Sequence, residues 1–178
     1  ITGLSCAWRI HQLAPHASIR VIDKHNLTRI ASTRNAGFSC FGSLTEIIDD
    51  IQNFGADVAL DLVERRYKGI QLIRSSFSHE LIDYRGTGGF ELIDGHAWSE
   101  LELKAECQTI NVLLSSIFKA DVFQVLSKKA AFGFSDHVHV VANHLEGQLD
   151  PARYVYELSK RLPSAMVEIL SGVEVTSF

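Results

Sequence analysis

The strongest constraint on the fold is a pair of residues near the start of the chain, Gly3 and Asp23, which lie 20 positions apart. Between them, residues 4–14 have the apolar spacing of a helix that Pro15 ends, and the largely β-branched run 19–22 predicts a short buried strand. A similar interval separates the last glycine of a dinucleotide-binding turn from the carboxylate that holds the adenosine ribose. The sequence therefore predicts a nucleotide-cofactor site formed by a helix start and a neighbouring strand end.

Each residue of this pair has both a chemical and a structural interpretation. A pyrophosphate at the start of the helix would meet free N–H groups and the positive end of the helix dipole. The Asp23 carboxylate would accept hydrogen bonds from ribose hydroxyls, and its charge would disfavour a 2′-phosphate. The structural alternatives are an amphipathic helix with a glycine at its start and a turn residue at the end of a strand.

A polar loop, residues 32–38 with the sequence S-T-R-N-A-G-F, is the second candidate site. Its hydroxyls, guanidinium and amide lie side by side, and Gly37 permits close approach of the backbone. Such a loop can donate hydrogen bonds to phosphate oxygens and to the edge of a flat ring. The same composition is also typical of a polar surface loop.

The composition excludes several other classes of protein. The 178 residues carry a formal net charge of −4, which gives no electrostatic reason to expect a nucleic-acid partner. The three cysteines form no C-x-x-C pair and leave an odd number, which fits a reducing compartment, and we expect a cytoplasmic protein. No apolar run has the length of a membrane-spanning segment. The oligomeric state is not predicted.

Several structural elements can be located along the rest of the chain. Ser43 and Glu46 have the spacing of a capping box at the start of a helix, and Asp150 followed by Pro151 marks the start of the last helix. Two short strands are predicted after it, over 167–170 and 173–178.

The sequence D-H-V-H-V at residues 136–140 offers a competing interpretation. Strand alternation places His137 and His139 on one face, where such a pair can ligate zinc or iron. Cys107 and Asp136 are conceivable further ligands, but their spacing does not support a site. We therefore predict polar histidines within a sheet and no metal, with a third possibility that this face lines a substrate cavity.

Three segments resemble the D-amino acid oxidase-like family of FAD-dependent oxidoreductases, which includes glycine and sarcosine oxidases. These segments are I-T-G-L at residues 1–4, V-I-D-K at 21–24 and S-T-R-N-A-G-F at 32–38. The resemblance implies an α/β fold in which a Rossmann-like FAD-binding domain carries an inserted, mostly antiparallel substrate-domain portion. It implies these cofactor-binding residues: Ile1, Thr2, Gly3, Asp23, Lys24, Ser32, Thr33, Arg34, Asn35, Ala36, Gly37, Phe38 and Val175.

The resemblance also implies a division of the chain into three parts. Residues 1–84 match the first part of the FAD-binding domain, 85–146 a portion of the substrate-binding domain, and 147–178 the segment that returns to the FAD-binding domain. Some members of the family carry a histidine that bonds covalently to flavin in the loop, whereas this sequence has Arg34 there, so we expect non-covalent FAD. We also expect an apolar strand ending in G-x-G immediately before Ile1.

The resemblance implies oxidation of a C–N bond in an amino acid or secondary amine, with hydride passing to flavin. One alternative is a flavoenzyme of the same fold that acts on a 2-hydroxy acid or a glycerol phosphate. Another is a truncated, non-catalytic module that binds no flavin. No catalytic residue is predicted.

Overall fold

The structure is a computed structural model that describes residues 1–26, 30–126, 133 and 137–177. The chain forms two compact units. The first unit comprises Ile1–Gly37, Phe77–Tyr84 and Leu149–Phe178, and the second comprises Phe38–Ser76 and Arg85–Gln148.

The helices and strands alternate along the described chain. The helices are α1 (Thr2–Leu13), α2 (Leu44–Phe54), α3 (Ala56–Ser76), α4 (His79–Ile82), α5 (Glu100–Leu114) and α6 (Pro151–Lys160). The strands are β1 (Ile19–Asp23), β2 (Phe38–Ser39), β3 (Gly89–Asp94), β4 (Phe123–Val125), β5 (Val138–Asn143), β6 (Gly147–Gln148) and β7 (Val167–Ser171). A 3-10 turn occupies Ala31–Thr33.

The first unit is built on a parallel pair of strands, β1 and β7, which are in register from Ile19 opposite Val167 to Asp23 opposite Ser171. Helix α1 packs on β1 and buries Leu4 and Ala7. Helix α6 packs against α1 and α4. An aromatic cluster supports this packing, because the ring of Phe77 lies 5.8 Å from that of Trp8 and 5.3 Å from that of Tyr154.

The second unit contains two antiparallel sheets. Strand β5 lies between β3 and β4 in a three-stranded sheet, while β2 pairs with β6. Helix α2 packs on α3 and α5, and α5 packs on β4. The rings of Phe41, Tyr67 and Phe118 meet in the core, with Phe118 at 5.1 Å from Phe41 and 4.7 Å from Tyr67 between centroids.

These elements confirm the predicted α/β class, with a parallel pair in one unit and antiparallel sheets in the other. The predicted cap of α6 is present, since Asp150 caps the helix and Pro151 lies in its first turn. The predicted capping box of α2 is only half formed: Ser43 Oγ accepts from the Glu46 N–H, but the Glu46 carboxylate pairs with Arg66 instead of the Ser43 N–H. The strand predicted over 173–178 is wrong for residues 173–177, which form no strand; Phe178 lies outside the described residues. Among the helices described, none combines the length and apolar character needed to span a bilayer.

Candidate functional site

The start of helix α1 presents backbone N–H groups without a side-chain cap. Ile1 is the N-cap residue, and its side chain makes no capping hydrogen bond. No acidic residue occupies the first turn. A Cβ built on Gly3 would lie 3.5 Å from Val21 Cγ1, so this end of the helix rests directly on strand β1. Thr2 and Gly3 are exposed, which leaves their backbone accessible to a ligand.

Asp23 lies at the carboxyl end of β1, at the same end of the unit as the start of α1. Its Oδ1 accepts a hydrogen bond of 2.8 Å from the His25 N–H, which fixes the turn after the strand. Val21, the residue of β1 against which Gly3 packs, lies two positions before Asp23. Gly3 and Asp23, which the sequence pairs by their spacing, therefore belong to one region of the structure.

The polar loop reaches the same region through Ser32, whose Oγ accepts a hydrogen bond of 3.0 Å from the Ile1 nitrogen. Thr33 Oγ1 donates to the Ile30 carbonyl, which closes the 3-10 turn. Arg34 is exposed, and its guanidinium has no hydrogen-bond or ion-pair partner in the described part of the chain. The loop therefore presents one free guanidinium beside a bonded hydroxyl.

Asn35 shapes the loop rather than pointing its amide outward. Its Nδ2 donates to the carbonyls of Ala31 and Ser32 at 3.0 and 3.1 Å, and its Oδ1 accepts from the Gly37 N–H at 2.9 Å. Ala36 is exposed at the tip. Gly37 has a φ of +71° that favours glycine.

Of the remaining predicted cofactor-binding residues, Lys24 and Val175 lie in the first unit and Phe38 lies in the second. Lys24 Nζ lies 3.8 Å from Glu174 Oε1, and the Val173 N–H donates to the Asp23 carbonyl at 3.2 Å. Val175, which is 48% exposed, therefore follows a segment held beside Asp23. Phe38 begins β2 in the second unit and is 74% exposed.

The groups at the start of α1 fit the diphosphate and ribose of an adenine dinucleotide. The helix supplies N–H donors, Ser32 supplies a hydroxyl, and Asp23 supplies a carboxylate acceptor. Three segments of one unit contribute this donor and acceptor set, all within the first 32 residues of the chain.

The histidines of the competing interpretation are separated by the start of β5. His137 precedes the strand and stacks on His96 with ring centroids 5.0 Å apart, whereas His139 lies in the strand and is 7% exposed. Within the ranges that the structure describes, no group of three or more histidine, cysteine or acidic residues could hold a metal ion. Asp136, named as a conceivable ligand, lies outside these ranges.

The second unit contains a cavity of about 440 Å³. Val141 lines it, but neither His137 nor His139, the histidines of the face predicted as a possible substrate cavity, does so. Three carboxylates line it, those of Glu46, Glu91 and Glu146, together with the Asn143 amide. The sequence gives no signal for this group, because its members come from a helix, two strands and a turn, and only folding brings them together.

Known proteins show a family match over the whole chain. Residues 1–178 match the family described as DAO, FAD dependent oxidoreductase. No curated protein matches the chain.

Solved structures with a similar fold cover nearly all of the chain. Iminodiacetate oxidase from Chelativorans sp. BNC1 aligns with a TM-score of 0.62 at 16% identity, over 94% of this chain and 43% of that one. L-amino acid deaminase from Proteus myxofaciens aligns with a TM-score of 0.61 at 14% identity, over 98% of this chain and 38% of that one. Glycine oxidase from Geobacillus kaustophilus aligns with a TM-score of 0.54 at 17% identity, over 97% of this chain and 43% of that one. The chain thus spans less than half the length of these proteins, and the likeness is one of fold.

Proposed function

The chain belongs to the DAO family of FAD-dependent oxidoreductases, and on that premise we propose that it takes part in oxidising the C–N bond of an amino acid or secondary amine. The observation that carries this proposal is the arrangement of the α1 start, Asp23 and Ser32 in one region of the first unit. Bound FAD supplies the redox chemistry, and the protein supplies binding, orientation and electrostatics.

We assign the adenosine diphosphate half of FAD to the first unit. The N–H groups of residues 2–4 would hold the pyrophosphate, because no side chain competes for them at the N-cap. Asp23 would accept hydrogen bonds from the ribose hydroxyls, and the backbone at Val175 would contact the adenine. Lys24 lies beside Asp23 in sequence and belongs to the same proposed site.

The loop residues have two proposed roles. Ser32, Thr33 and Arg34 would donate to phosphate or ring-edge oxygens, while Asn35 holds the loop in the shape that permits this. Ala36, Gly37 and Phe38 would border the cofactor. Because Arg34 replaces the covalently bonding histidine of some family members, we propose that FAD is held without a covalent bond.

The proposed substrate class is supported by the names of the structural neighbours. They are called iminodiacetate oxidase, L-amino acid deaminase and glycine oxidase, and each name refers to an amine or an amino acid. The three free cysteines support a reducing, cytoplasmic location.

FAD binding is tested by the absorbance spectrum of the purified protein after incubation with FAD and removal of the excess. We expect flavin bands at about one flavin per chain, released on acid precipitation because the flavin is not covalently bound. A protein that takes up no FAD would contradict the proposal and support a non-catalytic module.

The role of Asp23 is tested by Asp23→Asn, with Asp94→Asn as a matched control. Both aspartates end a strand, and each accepts from the N–H of a histidine two residues later, at 2.8 and 3.0 Å. Loss of the charge that meets the ribose should weaken FAD binding about tenfold or more in Asp23→Asn and leave it unchanged in Asp94→Asn. Equal affinities in the two variants would remove Asp23 from the site.

The substrate class is tested on the FAD-loaded protein with two panels of compounds, amines and amino acids in one, 2-hydroxy acids and glycerol phosphate in the other. We expect bleaching of the flavin absorbance under anaerobic conditions only with the first panel. Bleaching only with the second panel would assign the protein to the alternative substrate class.

A further inference from the structure

The cavity of the second unit has the size and lining of a small-molecule site. Its volume of about 440 Å³ falls within the range of roughly 300–1,000 Å³ usual for such sites. Apolar side chains form much of its wall, including Leu44, Phe90, Phe123 and Val141. Among the described residues that line it there are glutamates but no lysine, arginine or histidine. The cavity therefore favours a positively charged ligand with an apolar part.

The three carboxylates of the cavity are not equivalent. Glu46 pairs with Arg66 at 2.7 Å. Glu91 accepts hydrogen bonds from the hydroxyls of Ser43 and Thr45 and from the Thr45 N–H at the start of α2. Both are therefore already engaged within the protein.

Glu146 is different because only one of its oxygens is engaged. The residue is 8% exposed, and Oε1 accepts from the N–H groups of Phe41 and Gly42 at 2.8 and 3.3 Å. Its Oε2 lies against Gly89, where a Cβ would come within 2.4 Å of it, and has no hydrogen-bond partner among the described residues. Burial raises the pKa of Glu146 and outweighs the two N–H donors, as expected for a buried carboxylate without a cation beside it.

Asn143 provides an independent sign of a missing ligand in the same cavity. It is 4% exposed, and its Oδ1 accepts from the Leu145 N–H at 3.0 Å. Its Nδ2 is buried and has no partner. Asn143 stands opposite Gly89 in the β3–β5 pairing, so the unused amide donor and the unused Glu146 oxygen flank the same glycine. Buried polar groups are rarely left unpaired, and a ligand that pairs both would remove the cost.

We propose that this cavity binds the ammonium group of a small organic amine through Glu146, with Asn143 donating to an oxygen of the same ligand. An amino acid carries both groups. The identification of this amine as the substrate rests on the proposed function, whereas occupation of the cavity by an amine does not.

The site is tested by isothermal titration calorimetry of the purified protein with n-butylammonium, using n-butanol and butyrate as neutral and anionic probes of similar size. We expect butylammonium to bind and the other two probes to bind at least about tenfold more weakly, because only the ammonium can donate a charged hydrogen bond to the buried Glu146 carboxylate. Butyrate binding as tightly as butylammonium would overturn the proposal.

Two substitutions identify the carboxylate responsible. Glu146→Gln keeps an oxygen for the two N–H donors but loses the charge, and it should weaken butylammonium binding at least about tenfold. Glu64→Gln, a matched change in the same unit but outside the cavity lining, should leave the affinity within about twofold because that carboxylate pairs with Lys68. Thermal unfolding of both variants verifies that they fold. Equal affinities of wild type and Glu146→Gln would overturn the proposal.

The same titration, repeated on the FAD-loaded protein, separates this inference from the proposed function. Butylammonium binding with and without FAD supports a distinct amine site. Loss of binding when FAD is present would mean that the flavin occupies the cavity and would overturn the amine assignment. Butylammonium binding by a protein that takes up no FAD would contradict the proposed function and leave this inference standing.

Discussion

Substitution of Gly37 by alanine probes the close backbone approach at the end of the polar loop. Gly37 has a φ of +71°, and a Cβ at this position would lie 2.0 Å from the Leu149 carbonyl oxygen. The Leu149 N–H donates in turn to the Gly37 carbonyl at 2.9 Å. The two backbones therefore approach each other so closely that no side chain fits between them.

The expected cost of Gly37→Ala has three sources. The left-handed conformation costs an alanine about 1–2 kcal/mol. A carbon normally stays roughly 3.3 Å from a carbonyl oxygen, so the Leu149 carbonyl must move by about 1 Å or more. That movement loses a hydrogen bond worth about 1 kcal/mol and strains the packing by about 1–3 kcal/mol. We expect the free energy of unfolding to fall by at least about 3 kcal/mol.

Gly172→Ala is the matched control for this substitution. Gly172 lies in the same unit with a φ of +76°, but a Cβ there would meet nothing within 4 Å. It should therefore cost only the conformational part, about 1–2 kcal/mol.

Urea unfolding followed by tryptophan fluorescence measures both costs. The two tryptophans lie in different units, Trp8 in the first and Trp98 in the second, so a Trp98→Phe background reports the first unit alone. Equal losses for Gly37→Ala and Gly172→Ala would refute the argument from the Leu149 contact.

Two further predictions follow from the ionisable groups of the second unit. Burial raises the pKa of the Cys107 thiol to about 11. At pH 8 Cys107 should therefore carry about 100-fold less thiolate than an ordinary thiol. Its alkylation by iodoacetamide, measured by mass spectrometry, should be correspondingly slow in the folded protein and rapid in urea. Rapid alkylation in the folded protein would contradict the burial of Cys107. The pKa of Glu146 is raised above its ordinary value of 4.5. The folded state therefore binds more protons than the unfolded state just above pH 4.5. The free energy of unfolding should fall as pH rises from the unfolded pKa of Glu146 to its folded pKa. Glu146→Gln should flatten that part of the profile of unfolding free energy against pH, and an unchanged slope would assign it to another group.

Local sequence signals account for much of the first unit. The Gly3–Asp23 interval, the β-branched run between them and the Asp150–Pro151 helix start all depend on neighbours in sequence, and the structure has α1, β1 and α6 where these signals predict them. The same is true of the helix start at Ser43, whose capping partner lies three residues away.

Contacts between residues that are remote in sequence could not be predicted from local sequence patterns. Glu146 binds the Phe41 and Gly42 N–H groups across separations of 105 and 104 residues, and no local pattern marks a glutamate for that task. The strand predicted over 173–178 fails for the complementary reason. Its alternating composition suits a strand, but a strand also needs a continuous ladder with a partner. Among the described residues, 173–177 form no such ladder, and only the Val173 N–H bonds to the end of β1, at the Asp23 carbonyl.

The pairing of β1 with β7 has a consequence for the order of events during synthesis. Arg20 and Glu168, which face each other across this pair, are 148 residues apart in sequence. The ribosome must therefore have synthesised β7 before β1 can pair with it, whereas residues 38–76 and 85–148 can already fold around Phe41 and Phe118. Of the two units, the one that we assign to the nucleotide would be completed second, so the nascent polypeptide would meet the adenosine half of its cofactor only after the other unit had folded.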